Sequence, residues 1–147
     1  KIIFVENQRF TQWWLWVILI SFPIMAFGPF DDKSINYNHL LIGFALPVIF
    51  YLFQLRIKVS SEAALSVFSF SLKIPYDKIG GNKKVQSLKY KPLAEYGGWG
   101  IKYGFKGKAY NTSGNLGVKV YLRNGTNILF GSQKHKDLEK ALKKIKK

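Results

Sequence analysis

Residues 117 to 131 read GVKVYLRNGTNILFG, two short apolar segments on either side of a turn. In the first segment Val118 and Val120 alternate with other residues, which is the period of a β-strand with one buried face. Asn124-Gly125 is the strongest short signal for a hairpin, because both residues tolerate positive φ angles. The stretch therefore predicts two antiparallel strands, 117–122 and 127–131, joined by a type I′ turn.

The same period of two recurs before this hairpin and predicts five further strands. These are 55–60, 65–71, 85–91, 99–105 and 108–111. After the hairpin Leu138, Ala141, Leu142 and Ile145 recur at helical spacing, with lysines on the opposite face. Seven strands followed by an amphipathic helix are the layout of a pleckstrin-homology-like barrel. We expect residues 57–147 to form such a domain.

The N-terminal part differs, because it holds two long uncharged apolar stretches at about 11–29 and 37–55. A helix needs about 20 apolar residues to cross a bilayer. We therefore predict a transmembrane helical hairpin in residues 1–56, with one span in each stretch. Buried core helices of a soluble protein are the alternative for both stretches, and a cleaved signal peptide is another for the first.

The charges beside these stretches predict an orientation. Lys1, Arg9, Arg56 and Lys58 lie on one side and only Lys33 on the other. Because lysine and arginine are enriched on the cytoplasmic side, both termini are expected there. Four aromatic residues are expected to anchor the spans at the two membrane interfaces: Trp13, Trp14, Trp16 and Tyr37.

Positive charge is concentrated beyond the apolar stretches. Residues 57–147 hold 19 of the 23 basic residues and 5 of the 8 acidic ones, and the whole chain has a net charge of +15. A solvated surface is the ordinary meaning of such lysines, but each lysine near an anionic leaflet adds about 1 kcal/mol of attraction. The candidate contact lysines are Lys83, Lys84, Lys106 and Lys108.

Nucleic acid is the rival polyanion for this charge. Tyrosines and lysines interleave along the strands, as a stacking surface for single strands requires. Strand alternation, however, is expected to put these two residue types on opposite faces. We therefore do not expect a nucleic-acid partner.

The stretch AEYGGWGIK, residues 94–102, places three glycines around one tryptophan. Glycine adopts positive φ angles and permits close backbone approach. Tyr96, Gly97, Gly98 and Trp99 are therefore open to two interpretations. They form either a packing device in which Trp99 anchors the sheet, or a surface that contacts lipid headgroups or a partner helix.

The sequence contains no recognisable catalytic or metal-binding pattern. It has no cysteine, and neither His39 nor His135 has a suitably spaced carboxylate partner. The glycines match no phosphate-binding loop. We therefore expect no enzymatic activity, no cofactor and no metal.

The run EYGGWGIK at 95–102, followed by AYNTSGNLGVKVYLRNGTNILFGSQ at 109–133 and a helix, resembles an uncharacterised bacterial family of two-span membrane proteins with a pleckstrin-homology-like domain. The segment FVENQRF before the apolar stretches is similar to such proteins too. The resemblance implies this fold and a place in the bacterial inner (cytoplasmic) membrane, and it implies no catalytic residue.

Two functions are consistent with these expectations. The first is a non-enzymatic, membrane-anchored accessory or scaffold subunit of a larger inner-membrane assembly, with other integral membrane proteins as partners. The second is a self-sufficient membrane-surface module that binds anionic phospholipid electrostatically. We favour the first, because a two-span hairpin is more than lipid binding requires.

Overall fold

The computed structural model describes residues 1–26, 37–61, 66–67, 74–80, 85–104 and 106–144. The chain divides into two compact units: residues 1–9 with 54–147 form the first, and Phe10–Phe53 form the second. The chain therefore leaves the first unit after Arg9 and returns to it at Gln54. This return lies close to the predicted boundary at residue 56, but the first nine residues belong with the C-terminal part.

The second unit contains two helices, α1 (Trp13–Ala26) and α2 (Tyr37–Leu52). Each is rich in apolar residues and contains one proline, Pro23 in α1 and Pro47 in α2. The helices approach closely at Gly43, where an added Cβ atom would lie 3.0 Å from the Cα atom of Pro23. The glycine therefore permits the contact between the two helices.

The prediction of membrane spans at 11–29 and 37–55 is wrong for the part of the chain that the structure describes. α1 has 14 residues and α2 has 16, which correspond to about 21 and 24 Å against a bilayer core of about 30 Å. No helix among the described residues is long and apolar enough to cross a membrane. The second apolar stretch is longer than the helix that it contains. α2 ends at Leu52, and Leu55, the last residue of the second predicted span, begins a strand.

The predicted location as a two-span inner-membrane protein and its orientation depended on those spans and are corrected with them. Part of the first predicted span, residues 27–29, lies outside the described residues.

The first unit begins with a three-stranded antiparallel sheet in the order β1-β2-β3. β1 (Ile2–Gln8) pairs with one side of β2 (Leu55–Ser60), and β3 (Ser66–Val67) pairs with the other side. Alternate side chains of β2 enter the core, as the pleat of a strand requires. They are Leu55, Ile57 and Val59.

A second sheet has five strands in the order β4-β7-β8-β6-β5. All neighbours are antiparallel except β6 and β8, which are parallel. The strands are β4 (Val85–Lys89), β5 (Gly100–Gly104), β6 (Gly107–Asn111), β7 (Leu116–Tyr121) and β8 (Asn127–Gly131).

The prediction of one seven-stranded pleckstrin-homology-like barrel behind a membrane hairpin is therefore wrong. The described residues form two separate sheets, of three and five strands. Apolar alternation locates individual strands but carries no information on which strands pair. In addition, β1 comes from the segment that was assigned to the helical hairpin.

The hairpin between β7 and β8 is present, but its turn is not the predicted type I′. The Gly125 N–H donates to the Leu122 carbonyl at 3.1 Å, which centres the turn on Arg123-Asn124. Gly125 follows with a φ of 83°. The Asn124 Oδ1 accepts from the backbone N–H and the hydroxyl of Thr126, at 3.0 and 2.6 Å. Asn124 therefore stabilises the turn through its side chain.

A short helix, α3 (Pro92–Tyr96), precedes β5, and α4 (His135–Lys144) covers the core of the first unit. Leu138, Ala141 and Leu142 are buried in the main apolar cluster, while the predicted fourth residue of the stripe, Ile145, lies outside the described residues. α4 contacts β1 and β2 of the first sheet and β4 and β7 of the second. The helix therefore links the two sheets.

β1 turns polar side chains toward the interior. Glu6 and Gln8 are 7% and 6% exposed. The Glu6 Oε2 accepts from the Ser132 hydroxyl at 2.5 Å, and its Oε1 accepts from the Gln133 N–H at 3.0 Å. The Gln8 amide donates to the Gly131 carbonyl at 2.7 Å. These bonds join the N-terminal strand to the last residue of β8 and to the segment between β8 and α4.

Candidate functional site

A cavity of about 570 Å³ lies at the turn between β5 and β6, beside the start of β8. Strand pairing assembles it: Tyr103 of β5 is opposite Lys108 of β6, and Lys108 is opposite Ile128 of β8. We call it the hairpin cavity. Its polar and charged lining residues are Tyr103, Lys106, Lys108, Thr126 and Asn127.

Lys108 is held between two tyrosine rings. Its Nζ lies 4.9 Å from the ring centroid of Tyr103 and 5.2 Å from that of Tyr110. Hydrogen bonding with the side chains of Tyr103 and Tyr110 raises the pKa of Lys108. Tyr103 is 77% exposed, whereas Tyr110 is buried and stacks on Phe130. One exposed ring and one core ring therefore position the ammonium group.

Lys106 stands at the β5–β6 turn and pairs with Glu95 of the preceding helical turn. The Nζ–Oε1 distance is 3.4 Å, and the two side chains are 57% and 22% exposed. An ion pair this exposed contributes about 0 to 1 kcal/mol. Lys106 can therefore exchange the Glu95 carboxylate for another anion at small cost.

One wall of the hairpin cavity contains Gly107 and the side-chain amide of Asn127, whose oxygen makes no hydrogen bond to the described residues. Gly107 has a φ of 113°, and a Cβ atom there would lie 2.7 Å from the Asn127 Oδ1. This oxygen is buried and has no hydrogen-bond partner among the described residues. A buried acceptor without a partner costs about 1 to 3 kcal/mol. Within the described part of the chain, the wall therefore contains an acceptor without a partner, which a ligand reaches only if the amide rotates.

Tyr96 lies in the core rather than at the surface. It ends α3 (Pro92–Tyr96), is 1% exposed, and meets Tyr90 edge to face with 5.9 Å between the ring centroids. Burial raises the pKa of Tyr96 to about 12, and the negative charge of Glu95 adds to the increase. In this conformation its ring is out of reach of a binding partner.

The three residues after Tyr96 form a tight turn into β5. Gly97 caps α3 with a φ of 74°, and its N–H donates to the Leu93 carbonyl at 3.1 Å. Gly98 is buried and has a φ of 123°. The Trp99 indole N–H donates to the Gly114 carbonyl at 3.1 Å. Only Gly97 and Trp99 of the predicted contact segment reach the surface, and their role as a contact stays a prediction.

The other predicted site residues are scattered. Lys83 and Lys84 lie outside the described residues. Trp13, Trp14 and Trp16 lie in the first turn of α1, and Tyr37 begins α2. Trp13 and Tyr37 are the most exposed of these four, at 76% and 79%. The structure thus brings together only Lys106 and Lys108 of the predicted lysines.

Sequence reasoning missed Thr126 and Asn127 as lining residues. They line the same cavity as Lys108 because β6 and β8 are paired in parallel. No local sequence pattern predicts this pairing. The expectation that tyrosines and lysines occupy opposite faces also fails at this place. Tyr103, Lys108 and Tyr110 share one face of the sheet, because Tyr103 and Lys108 are paired across strands and Lys108 and Tyr110 are two residues apart.

No protein-family model, curated protein or solved structure matches this chain. The resemblance to the bacterial two-span family therefore stays a prediction. A function has to be inferred from the charges and the cavity of the first unit.

Proposed function

We propose that the protein is a non-enzymatic binding module whose lysine-rich first unit binds anionic phospholipid headgroups electrostatically. The observation that supports this function best is the pair Lys106 and Lys108 at the hairpin cavity. The Lys108 ammonium group lies against two tyrosine rings, and Lys106 makes an exposed ion pair with Glu95. Both lysines are thus available to an anion from solution.

The wider surface of the first unit supports the same function. The chain carries a net charge of +15, and two ion pairs are found among the described residues, Lys106 with Glu95 and Lys143 with Glu139. Most of the positive charge is therefore not neutralised within the protein. Each lysine within a Debye length of an anionic lipid surface contributes about 1 kcal/mol of attraction.

The test is vesicle binding by the full chain. A fragment of residues 57–147 is unsuitable, because it would lack β1 and the first residues of β2. We expect binding to vesicles that contain phosphatidylglycerol and no binding to vesicles of phosphatidylcholine alone. Binding should weaken as salt rises from about 0.1 M to about 1 M, because the Debye length falls from about 10 Å to about 3 Å. Equal binding to neutral vesicles, or binding that ignores salt, would rule out the proposal.

A second candidate is an accessory or scaffold subunit, and the exposed apolar side chains of α1 and α2 favour it. Trp13, Ile24, Met25 and Leu41 are each 66% or more exposed, and apolar surfaces that extend over many such residues mark interaction sites. The partner would be an apolar helical surface of another protein. A stoichiometric partner that co-purifies with the wild type and is lost in the Leu41→Ser variant, but kept in Lys89→Gln, would support this role.

A further inference from the structure

We propose that the hairpin cavity is a discrete binding site for a phosphorylated polyol of the glycerol phosphate type, either free or as a lipid headgroup. This inference rests on the proposed function and deepens it, because it names the ligand class and the residues that hold it. Lys106 and Lys108 bind the phosphate group. Thr126 and Asn127 bind the hydroxyl groups, and Tyr103 covers the carbon skeleton.

The phosphate group is assigned from the two lysines. Lys106 and Lys108 both line the hairpin cavity, and each ammonium carries three donors. Hydrogen bonds from ammonium groups to phosphate oxygens are charge-assisted and stronger than neutral ones. The phosphate replaces Glu95 as the partner of Lys106, whose present Nζ–Oε1 distance of 3.4 Å is long for such a bond.

The hydroxyl groups are assigned from two other lining residues, Thr126 and Asn127. The Asn127 Oδ1 has no hydrogen-bond partner among the described residues. Because the last torsion of asparagine is broad, rotation of the amide brings this oxygen to the cavity, where a ligand hydroxyl satisfies it. The Thr126 hydroxyl donates to the Asn124 Oδ1 at 2.6 Å and keeps acceptor capacity for a second ligand hydroxyl. Inorganic phosphate carries no polyol hydroxyl groups for these two residues.

Size and shape also favour an organic phosphate. The volume of about 570 Å³ lies within the range of about 300 to 1,000 Å³ typical of small-molecule sites, and it exceeds what phosphate alone fills. Gly107 lets the β5–β6 turn pack closely against Asn127, because a Cβ atom there would lie 2.7 Å from the Asn127 Oδ1. Tyr103 is 77% exposed at the rim. Its ring is therefore placed to close over a bound carbon chain.

The test is calorimetric titration of the full chain with glycerol phosphate and with inorganic phosphate. We expect saturable binding of glycerol phosphate that is tighter than binding of inorganic phosphate. Lys108→Gln and Lys106→Gln should each weaken it about tenfold, equivalent to about 1.4 kcal/mol. The matched control is Lys89→Gln, which removes the same charge from β4 at the opposite edge of the sheet and should leave affinity unchanged.

Tyr103→Ala provides a variant that should fold normally, because this side chain is mostly exposed. We expect it to weaken binding of glycerol phosphate by severalfold and binding of inorganic phosphate to a smaller extent, because the ring also lies 4.9 Å from the Lys108 Nζ. Circular dichroism spectra that match the wild type would show that each variant is folded. A Tyr103→Ala variant that binds glycerol phosphate as the wild type does would overturn the role of the ring.

Vesicles distinguish failure of this site from failure of the proposed function. If the site is discrete, glycerol phosphate competes with phosphatidylglycerol vesicles, and Lys108→Gln reduces vesicle binding more than Lys89→Gln does. If glycerol phosphate does not bind and both variants reduce salt-sensitive vesicle binding equally, the site is refuted and the proposed function stands. Absence of binding to vesicles and to glycerol phosphate overturns both. Tighter binding of a nucleoside monophosphate overturns the polyol as ligand class.

Discussion

Replacing Glu6 by alanine should destabilise the first unit strongly. The carboxylate accepts two hydrogen bonds, from the Ser132 hydroxyl and the Gln133 N–H. Hydrogen bonds to a charged group contribute about 1.5 to 3 kcal/mol each, so Glu6→Ala should lower the free energy of unfolding by about 3 to 6 kcal/mol. Small domains are stable by only about 5 to 15 kcal/mol. The loss would be a large part of the total.

Urea unfolding followed by circular dichroism measures this loss, and hydrogen exchange locates it. Exchange should accelerate most between β8 and the first turn of α4, where the bonds of Glu6 end. Glu6→Gln keeps the volume and one acceptor oxygen, so we expect about half of the effect. The control is Glu139→Gln, which breaks an exposed ion pair with Lys143 and should cost at most about 0.5 kcal/mol. A Glu6→Ala variant as stable as Glu139→Gln would refute the reasoning.

Three further predictions concern α3, the turn that follows it and β5. Glu95→Gln should tighten binding of glycerol phosphate severalfold in the calorimetric titration, because Lys106 loses its internal anion; unchanged affinity would contradict this. The pKa of Tyr96 is raised by burial to about 12 from its ordinary 10.0, so the unfolded chain loses this proton first and stability should fall between about pH 10 and 12. Tyr96→Phe should lose less stability in that range in urea titrations, and an identical decline would count against the assignment. Gly97→Ala should cost about 1 to 2 kcal/mol of unfolding free energy through its positive φ alone, since no atom lies within 4 Å of an added Cβ. Gly104→Ala should cost more, because its Cβ would lie 2.4 Å from the Glu95 carbonyl oxygen; the reverse order would contradict the structure.

β7 of the second sheet could be located from sequence because its buried valines alternate with a more exposed lysine. In β7, Val118 and Val120 are buried on either side of the half-exposed Lys119. β1 was missed because its pattern is inverted. Ile3 and Val5 are 41% and 45% exposed, whereas Glu6 and Gln8 face the interior. Hydropathy alone assigns such a strand to the wrong face or to none.

The candidate site was only partly accessible from sequence. Lysines are recognisable from sequence as positive charge, and this charge predicts Lys106 and Lys108 as contact residues. Their surroundings depend on register: Gly104 opposite Gly107 sets Tyr103 opposite Lys108, and a shift by one residue would move the ring to the other face. Asn127 joins them only through a parallel strand pair. Pairing between strands that are distant in the sequence cannot be predicted from the residues of either strand alone.

The pairing of β1 with β2 has a consequence for how the chain can change. Gln8 of β1 lies opposite Leu55 of β2. The chain between these two residues, which includes both helices of the second unit, is therefore a long insertion in the connection of one β-hairpin. Loop-closure entropy rises by only about 0.6 kcal/mol for each doubling of loop length, so segments of very different size could be accommodated in that connection. We therefore expect β1 and β2 to pair when a short linker replaces the two helices. The second unit could then be exchanged for another segment while the lysine-rich first unit keeps its fold.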